Sequence, residues 1–208
     1  EMVSKEPLDT FHSSSLRKAV HRLNGTAEKN WLWWKLPSPP KRTTIFADFL
    51  EDKPTSVAWH TSEQTAALIN MMSPVNLEKL SRAKRAGNLV IGGVYKRTRK
   101  ENGRRVQRAE VRFDNVAGCL RTPAGGSSRQ IILMVDGETV RSRLISARET
   151  ARLMGLPDCY QLPKRYNEAY HLTGDGVVVP VVRHIAQNII EPTLHRASKI
   201  RLAKKNAA

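Results

Sequence analysis

The sequence predicts a mixed α/β chain: an α+β domain with a basic β-hairpin, followed by a C-terminal helix that belongs elsewhere. Three observations predict it. Capped helical periodicity dominates residues 13–86, two-residue alternation with Asn-Gly and Asp-Gly turns replaces it from 88 to 144, and an almost wholly apolar helix follows at 177–190. The 208 residues, 40% hydrophobic, suffice for one ordinary domain or two small ones. Lys+Arg number 35 against 19 Asp+Glu, a formal charge of +16. That balance favours a polyanionic partner, nucleic acid before an acidic membrane surface.

The elements follow in order. Ser13–Leu23 has serines at its start and Leu16, Ala19, Val20 and Leu23 on one face, so it reads as a short helix. "WLWWKLPSPPK" carries Trp31, Trp33 and Trp34 before Pro37, Pro39 and Pro40, which forbid a helix. It reads as a packed connector, with a base-stacking platform as the alternative. Short helices are expected at 44–50, at 61–72 with Thr61 or Ser62 as cap, and at 76–86, where Gly87 ends the last. "NLVIGGVYKRTRK" and "RRVQRAEVRF" then flank Glu101-Asn102-Gly103 as two strands of a hairpin. "QIILMVDGETV" is a strand turning at Asp136-Gly137. "SARETARLMGLPD" is a helix in which Ser146 and Glu149 form a capping box, Gly155 terminates and Pro157 blocks continuation. Gly174-Asp175-Gly176 precedes the last helix, with Pro180 in its first turn. Beyond Pro192 come five Lys/Arg and no acid, read as a frayed, solvated tail.

From Arg82 to Arg112 there are eleven Lys/Arg and two Glu. A charge run is usually a solvated face. Here Lys96, Arg97, Arg99, Arg104, Arg105, Arg108 and Arg112 sit on the arms of one hairpin, and a twisted basic ribbon suits a DNA groove or backbone. No P-loop and no metal-ligand spacing occurs, and no apolar run approaches the roughly 18 residues that span a bilayer. Two cysteines 40 residues apart make neither a disulfide framework nor a zinc site. With no signal-peptide pattern, a reducing cytoplasmic setting is expected. Cys119 has no histidine at a suggestive spacing and reads as a small half-buried residue at a strand end.

Three ordered blocks carry more: "GCLRTPAGGSSRQ", "RLISARETARLMGLPDCYQLP" and "NEAYHLTGDGVVVPVVRHIAQNI". Together they closely resemble the C-terminal part of bacterial DNA (cytosine-5)-methyltransferases. The middle block matches the family's R-x-L-x-x-R-E-x-A-R-x-M-G-x-P-D-x-Y segment at Arg143, Leu144, Arg148, Glu149, Ala151, Arg152, Met154, Gly155, Pro157, Asp158 and Tyr160. The family's F-x-G-x-G, Pro-Cys and E-N-V motifs, which bring the cofactor, the nucleophile and the cytosine-contacting glutamate, do not occur in these residues.

The resemblance implies a target-recognition domain at 40–146, preceded by a connector (1–39) from the catalytic domain. It further implies a hinge segment (147–173), a closing helix of a Rossmann-like catalytic domain (174–192) and a basic tail (193–208). It implies methyl transfer from S-adenosyl-L-methionine to C5 of a flipped cytosine, with no catalytic residue in this chain. The partners implied are double-stranded DNA and the catalytic half of the same enzyme, in one chain or two, with no membrane; the setting is a bacterial cytoplasm, associated with the nucleoid. Candidate DNA contacts are Lys96, Arg97, Arg108 and Arg112 on the hairpin. In the first block they are Arg121, Thr122, Gly125, Gly126, Ser127, Ser128, Arg129 and Gln130: the glycines permit close backbone approach, Arg reads guanine and Gln reads adenine. Cys119-Leu120 stands where the family has Thr-Leu. Asp175, Gly176 and Val177 stand where its last motif, with Asn-Ser before Val, lines the cofactor site; an N-capping aspartate followed by a flexible glycine accounts for the same residues. A stand-alone DNA-binding protein derived from the family is the competing reading. A basic membrane-surface or RNA-binding module lacks the corresponding signature.

Overall fold

The computed structural model describes residues 2–4, 6–8, 11–122 and 129–206, the stretch 200–206 by backbone alone. In chain order these form β1 (Val3–Ser4), α1 (Ser14–Val20), α2 (Gly25–Lys29), β2 (Trp33–Trp34) and a 3-10 turn (Phe46–Phe49). Next come α3 (Ser62–Asn70), α4 (Pro74–Lys84), β3 (Val90–Glu101), β4 (Arg104–Arg112), β5 (Ile131–Asp136) and β6 (Thr139–Leu144). The rest are α5 (Ala147–Leu153), α6 (Tyr166–Asp175), α7 (Val179–Ile185), a π-helical turn (Ala186–Ile190) and α8 (Glu191–Asn206). They divide into two units, Thr43–Val179 and a second made of Glu1–Arg42 with Pro180–Ala208.

In Thr43–Val179 an antiparallel sheet runs in the order β4-β3-β5-β6. The apolar run of β5 is continuous because both its faces are covered. Ile131, Leu133 and Val135 pack with Leu68, Met72, Leu80 and Ala83 of the α3–α4 layer. Ile132 points the other way, onto Phe46, Ile145 and Tyr170. Each such side chain, fully buried, contributes about 1.5–3 kcal/mol. Two helices begin at expected caps, Thr61 and Ser146, which form capping boxes with Gln64 and Glu149; α4 begins two residues before the expected 76, with Pro74 in its first turn. Both sheet edges are covered over the core. On β6, His60 N–H donates to Ser142 O at 2.9 Å. On β4, Ala109 N–H donates to Met71 O (3.0 Å) and Val111 N–H to Asn76 Oδ1 (3.1 Å).

The first part of the middle block, from Arg143 to Met154, is largely interior, while Pro157 to Gln161 lie at the surface. Arg143 donates to both carboxylate oxygens of Glu149 at 2.8 and 2.6 Å, and the two side chains are 1% and 0% exposed. Glu149 also accepts from the backbone N–H groups of Ser146 (2.7 Å) and Glu51 (2.8 Å). The Trp59 ring lies 5.2 Å from the Arg143 guanidinium. Arg152 pairs with Asp158 at 2.7 Å, and Arg148 donates to Tyr160 O at 2.9 Å. The stretch 147–173, expected as a hinge, is therefore built into the unit: α5 and α6 bury Ala147, Ala151, Ala169 and Tyr170. The helix expected at 44–50 is shorter, a single 3-10 turn.

In the other unit, β1 pairs antiparallel with β2, and Lys35 N–H donates to Met2 O at 2.9 Å. Trp33 packs against His12 (4.7 Å) and Trp31 (5.5 Å) between ring centroids. Trp31 and Leu32 remain exposed, so the connector is only half packed. The last helix differs most from expectation. It starts at Val179 and runs through Pro192 to Asn206, so the frayed tail expected after Pro192 is helical as far as Asn206. The π-helical turn accounts for this: Glu191 N–H bonds Ala186 O, five residues back, and the widened turn precedes the residue that has no N–H to give. Val181, Val182, Ile185, Ile190 and Leu194 are all exposed along it.

Candidate nucleic-acid interface

The hairpin outgrows its sheet. β3 pairs with β5 only over 90–94 but with β4 from Gly93↔Arg112 to Glu101↔Arg104. Its turn has positive φ at Asn102 (48°) and Gly103 (79°), the two-residue geometry that matches strand twist. Beyond Val94 the pair leaves β5, Ala109 opposite Lys96 is still tied to Met71 O, and past that point it runs on as a two-stranded ribbon. Alternation divides its residues. Lys96, Thr98, Lys100, Arg105 and Gln107 share the face of Val94 and Ala109; Tyr95, Arg97, Arg99, Arg108, Glu110 and Arg112 share the other.

The arginines of the second face are held in extended order by carboxylates. Arg108 Nε donates to Glu101 Oε1 (2.8 Å), Arg99 Nε to Glu110 Oε1 (2.6 Å) and Arg112 Nε to Asp114 Oδ1 (2.8 Å); Arg97 Nε lies 3.5 Å from Glu110 Oε2. The hydrogen bond from Arg108 holds the Glu101 carboxyl below its usual range, and Arg112 does the same for Asp114. These pairs lie at the surface, where they orient side chains more than they stabilise the fold. A cavity of about 450 Å³ opens beside this face, lined by Lys79, Tyr95, Arg97, Glu110, Arg112 and Cys119.

The first block runs alongside. A Cβ on Gly118 would fall 1.9 Å from the Tyr95 hydroxyl, so only glycine lets the backbone pass there. Cys119, expected half-buried, is exposed because it lies on this loop and not in a strand. Arg121 is exposed, and Thr122 donates its hydroxyl to Asp175. Gly125, Gly126, Ser127 and Ser128 lie outside the described residues. Arg129 is half-buried beside α6, 5.6 Å from the Tyr166 ring, and donates to Asn167.

Gln130 corrects the expectation of an adenine reader. It is 0% exposed, accepts from the Tyr95 hydroxyl, and packs its amide over Gly93, where a Cβ would fall 2.8 Å from Nε2. A side chain so enclosed reaches no base edge. Burial pushes the Tyr95 hydroxyl well above its usual pKa, so it stays a donor. Tyr95, Gly118 and Glu110 were missed by sequence reasoning; the strand register that places Tyr95 and Arg97 on one face was the available signal.

Asp175, Gly176 and Val177 are a second correction. Asp175 ends α6 and does not cap the following helix, and Gly176 is the C-cap. A Cβ on Gly176 would meet Leu172 O at 3.0 Å, and Val177 is exposed. A helix C-terminus and a carboxylate together disfavour an anionic group. These three residues do not fit the carboxylate of S-adenosyl-L-methionine. Among the described residues no cluster of three His, Cys, Asp or Glu could hold a metal ion, and no helix is long and apolar enough to cross a membrane.

Residues 9–191 match the family model described as C-5 cytosine-specific DNA methylase. The chain belongs to this methylase family. The type II methyltransferase M.HhaI of Haemophilus parahaemolyticus is 41% identical over 56 residues, 27% of this chain and 16% of that protein. The type II methyltransferase M.NlaX of Neisseria lactamica is 37% identical over 57 residues, 27% of this chain and 18% of that protein. A putative DNA (cytosine-5)-methyltransferase of Arabidopsis thaliana, CMT1, is 48% identical over 42 residues, 20% of this chain and 5% of that protein. The matched segments thus span less than a fifth of each relative.

Proposed function

We propose that Thr43–Val179 grips duplex DNA for a DNA (cytosine-5)-methyltransferase. The observation that carries this reading is the ribbon: a two-stranded arm that leaves β5 beyond Val94 and the core beyond Lys96 and Ala109, basic on both faces, of the size a major groove admits. Beside it, the exposed Arg121 and the residues that follow supply the first block's contacts. The grip has a chemical purpose. A cytosine in a duplex is reached by an enzyme only after it leaves the stack, which costs a few kcal/mol. Contacts to phosphates and base edges on either side offset that cost and hold the duplex in register. The methyl donor of the reaction is S-adenosyl-L-methionine; this chain's residues orient the DNA, and the catalytic half supplies nucleophile and donor site. The exposed valines and isoleucines of α7 and the π-helical turn are the face that half would cover, since so large an apolar patch rarely stays open.

The test is binding of the 208-residue chain to labelled duplexes and single strands across a salt series. Duplex should be preferred, and contact with about five phosphates gives a log–log slope near −4 to −5. Lys96→Ala should weaken all duplexes alike, whereas Arg121→Ala should flatten sequence preference. Equal affinity for single strands, or no salt dependence, would refute the reading.

A further inference from the structure

We propose that Glu110 is a base-reading residue, which with Arg97 takes the major-groove edge of a G·C pair. The inference rests on the duplex-recognition reading above. In the cavity beside the ribbon, the charged lining is three cations, Lys79, Arg97 and Arg112, and one carboxylate, Glu110. A groove that contacts only phosphates has no use for a carboxylate, which repels them and offsets the release of counterions. Folding does not require it either. The Glu110 side chain is 32% exposed and its partners Arg97 and Arg99 are 49% and 52% exposed, and pairs so open to water add little stability.

Base chemistry does give it a use. In the major groove guanine presents two acceptors, O6 and N7, and cytosine presents the N4 amino donor. Arg97 offers donors and Glu110 an acceptor on one face of the ribbon, with Arg97 Nε 3.5 Å from Glu110 Oε2. The pair is oriented before DNA arrives, because Arg99 Nε donates to one oxygen of Glu110 and Arg97 Nε lies beside the other. Thymine O4 in place of cytosine N4 would set an acceptor against the carboxylate. The site therefore rejects as well as selects.

The experiment is selection of bound duplexes from a randomised pool by the wild-type chain, Glu110→Ala and Glu110→Gln, read by sequencing, with affinity for a fixed random duplex measured beside it. Glu110→Ala should flatten one G·C position of the selected motif roughly tenfold. Affinity for random duplex should rise in the same variant. Glu110→Gln, which keeps an oxygen at the same reach, should retain a preference at that position. An unchanged motif in both variants, with random-duplex affinity raised equally, would make Glu110 a mere neutraliser of arginines and overturn the proposal. If the wild-type chain retains no duplex, the duplex-recognition reading fails first, and this inference with it.

Discussion

Two arginine–glutamate pairs in this chain share a geometry and differ in surroundings. Arg143 and Glu149 are bidentate and 1% and 0% exposed; Arg108 and Glu101 are bidentate too, at 2.8 and 2.5 Å, but 30% and 41% exposed. The first lies in the block that makes the family recognisable, the second on a ribbon that does not identify the family. Much of the most recognisable block is thus framework: Arg143, Glu149, Ala151 and Met154 are buried, and Arg152 and Arg148 are partnered within it. On the proposed function, the charges that would exchange partners for DNA belong to the less recognisable part. The comparison predicts a large asymmetry. Arg143→Ala leaves the Glu149 carboxylate buried without its main partner and should cost about 3–5 kcal/mol, enough to unfold Thr43–Val179. Arg108→Ala should cost less than about 1 kcal/mol. Denaturant midpoints of the two variants measure this. Comparable losses would show that burial is not what separates the pairs.

The sequence made one of these regions legible and half-concealed the other, for physical reasons. Caps and turns are local devices, so the Ser146–Glu149 box, a cap at Thr61 or Ser62, Asn102-Gly103 and Gly155 were read from the sequence alone, and the structure places the second cap at Thr61. The family block was also legible, but its role was not. Nothing local tells that Arg143 folds back onto Glu149 and away from solvent, because that depends on Trp59 and Glu51, some 80 and 100 residues away in the chain. Gln130 failed for the same reason: its residue type suits adenine, while its burial is decided by Tyr95 and Gly93, on another strand. Asp175 looked like an N-cap since a glycine and an apolar helix follow, yet the helix it belongs to precedes it. Pro192 looked like a terminator, and the π-helical turn upstream of it is a tertiary-scale adjustment that no local pattern announces.

A middle-sized effect tests where framework and interface join. Gly174 of α6 faces the backbone of the first block: a Cβ there would fall 2.8 Å from Thr122 N and 3.0 Å from Arg121 C. Backbone atoms cannot swing aside as a flexible side chain does. Gly174→Ala should therefore displace the Arg121–Thr122 segment and break the bond from Thr122 to Asp175, at a cost of about 1–3 kcal/mol. Its signature is a joint loss: lower thermal stability together with reduced sequence preference in DNA binding. Full stability with altered binding would mean that the segment moves freely and α6 does not anchor it.

The smallest effect is electrostatic and reports ribbon charge felt inside the framework. His60 Nδ1 lies 2.9 Å from Ser142 Oγ, which in turn lies 2.9 Å from Thr65 Oγ1, on the α3 side of the sheet. Burial first, and the positive charge of Lys96 second, lower the His60 pKa below its ordinary 6.5. As pH falls, the unfolded chain therefore takes up this proton before the folded one does. The stability that the neutral imidazole contributes is fully present above about pH 6.5 and is lost as pH drops below it towards the folded value. Thermal unfolding of the wild-type chain should weaken between about pH 7 and 5 by more than that of His60→Asn, the difference being the contribution of this one group. Lys96→Ala should narrow the difference without removing it, because burial is the larger cause. Identical pH slopes in the wild type and His60→Asn would show that the imidazole titrates alike in both states. Equal differences with and without the Lys96 charge would detach the ribbon from the framework electrically, leaving burial as the whole cause.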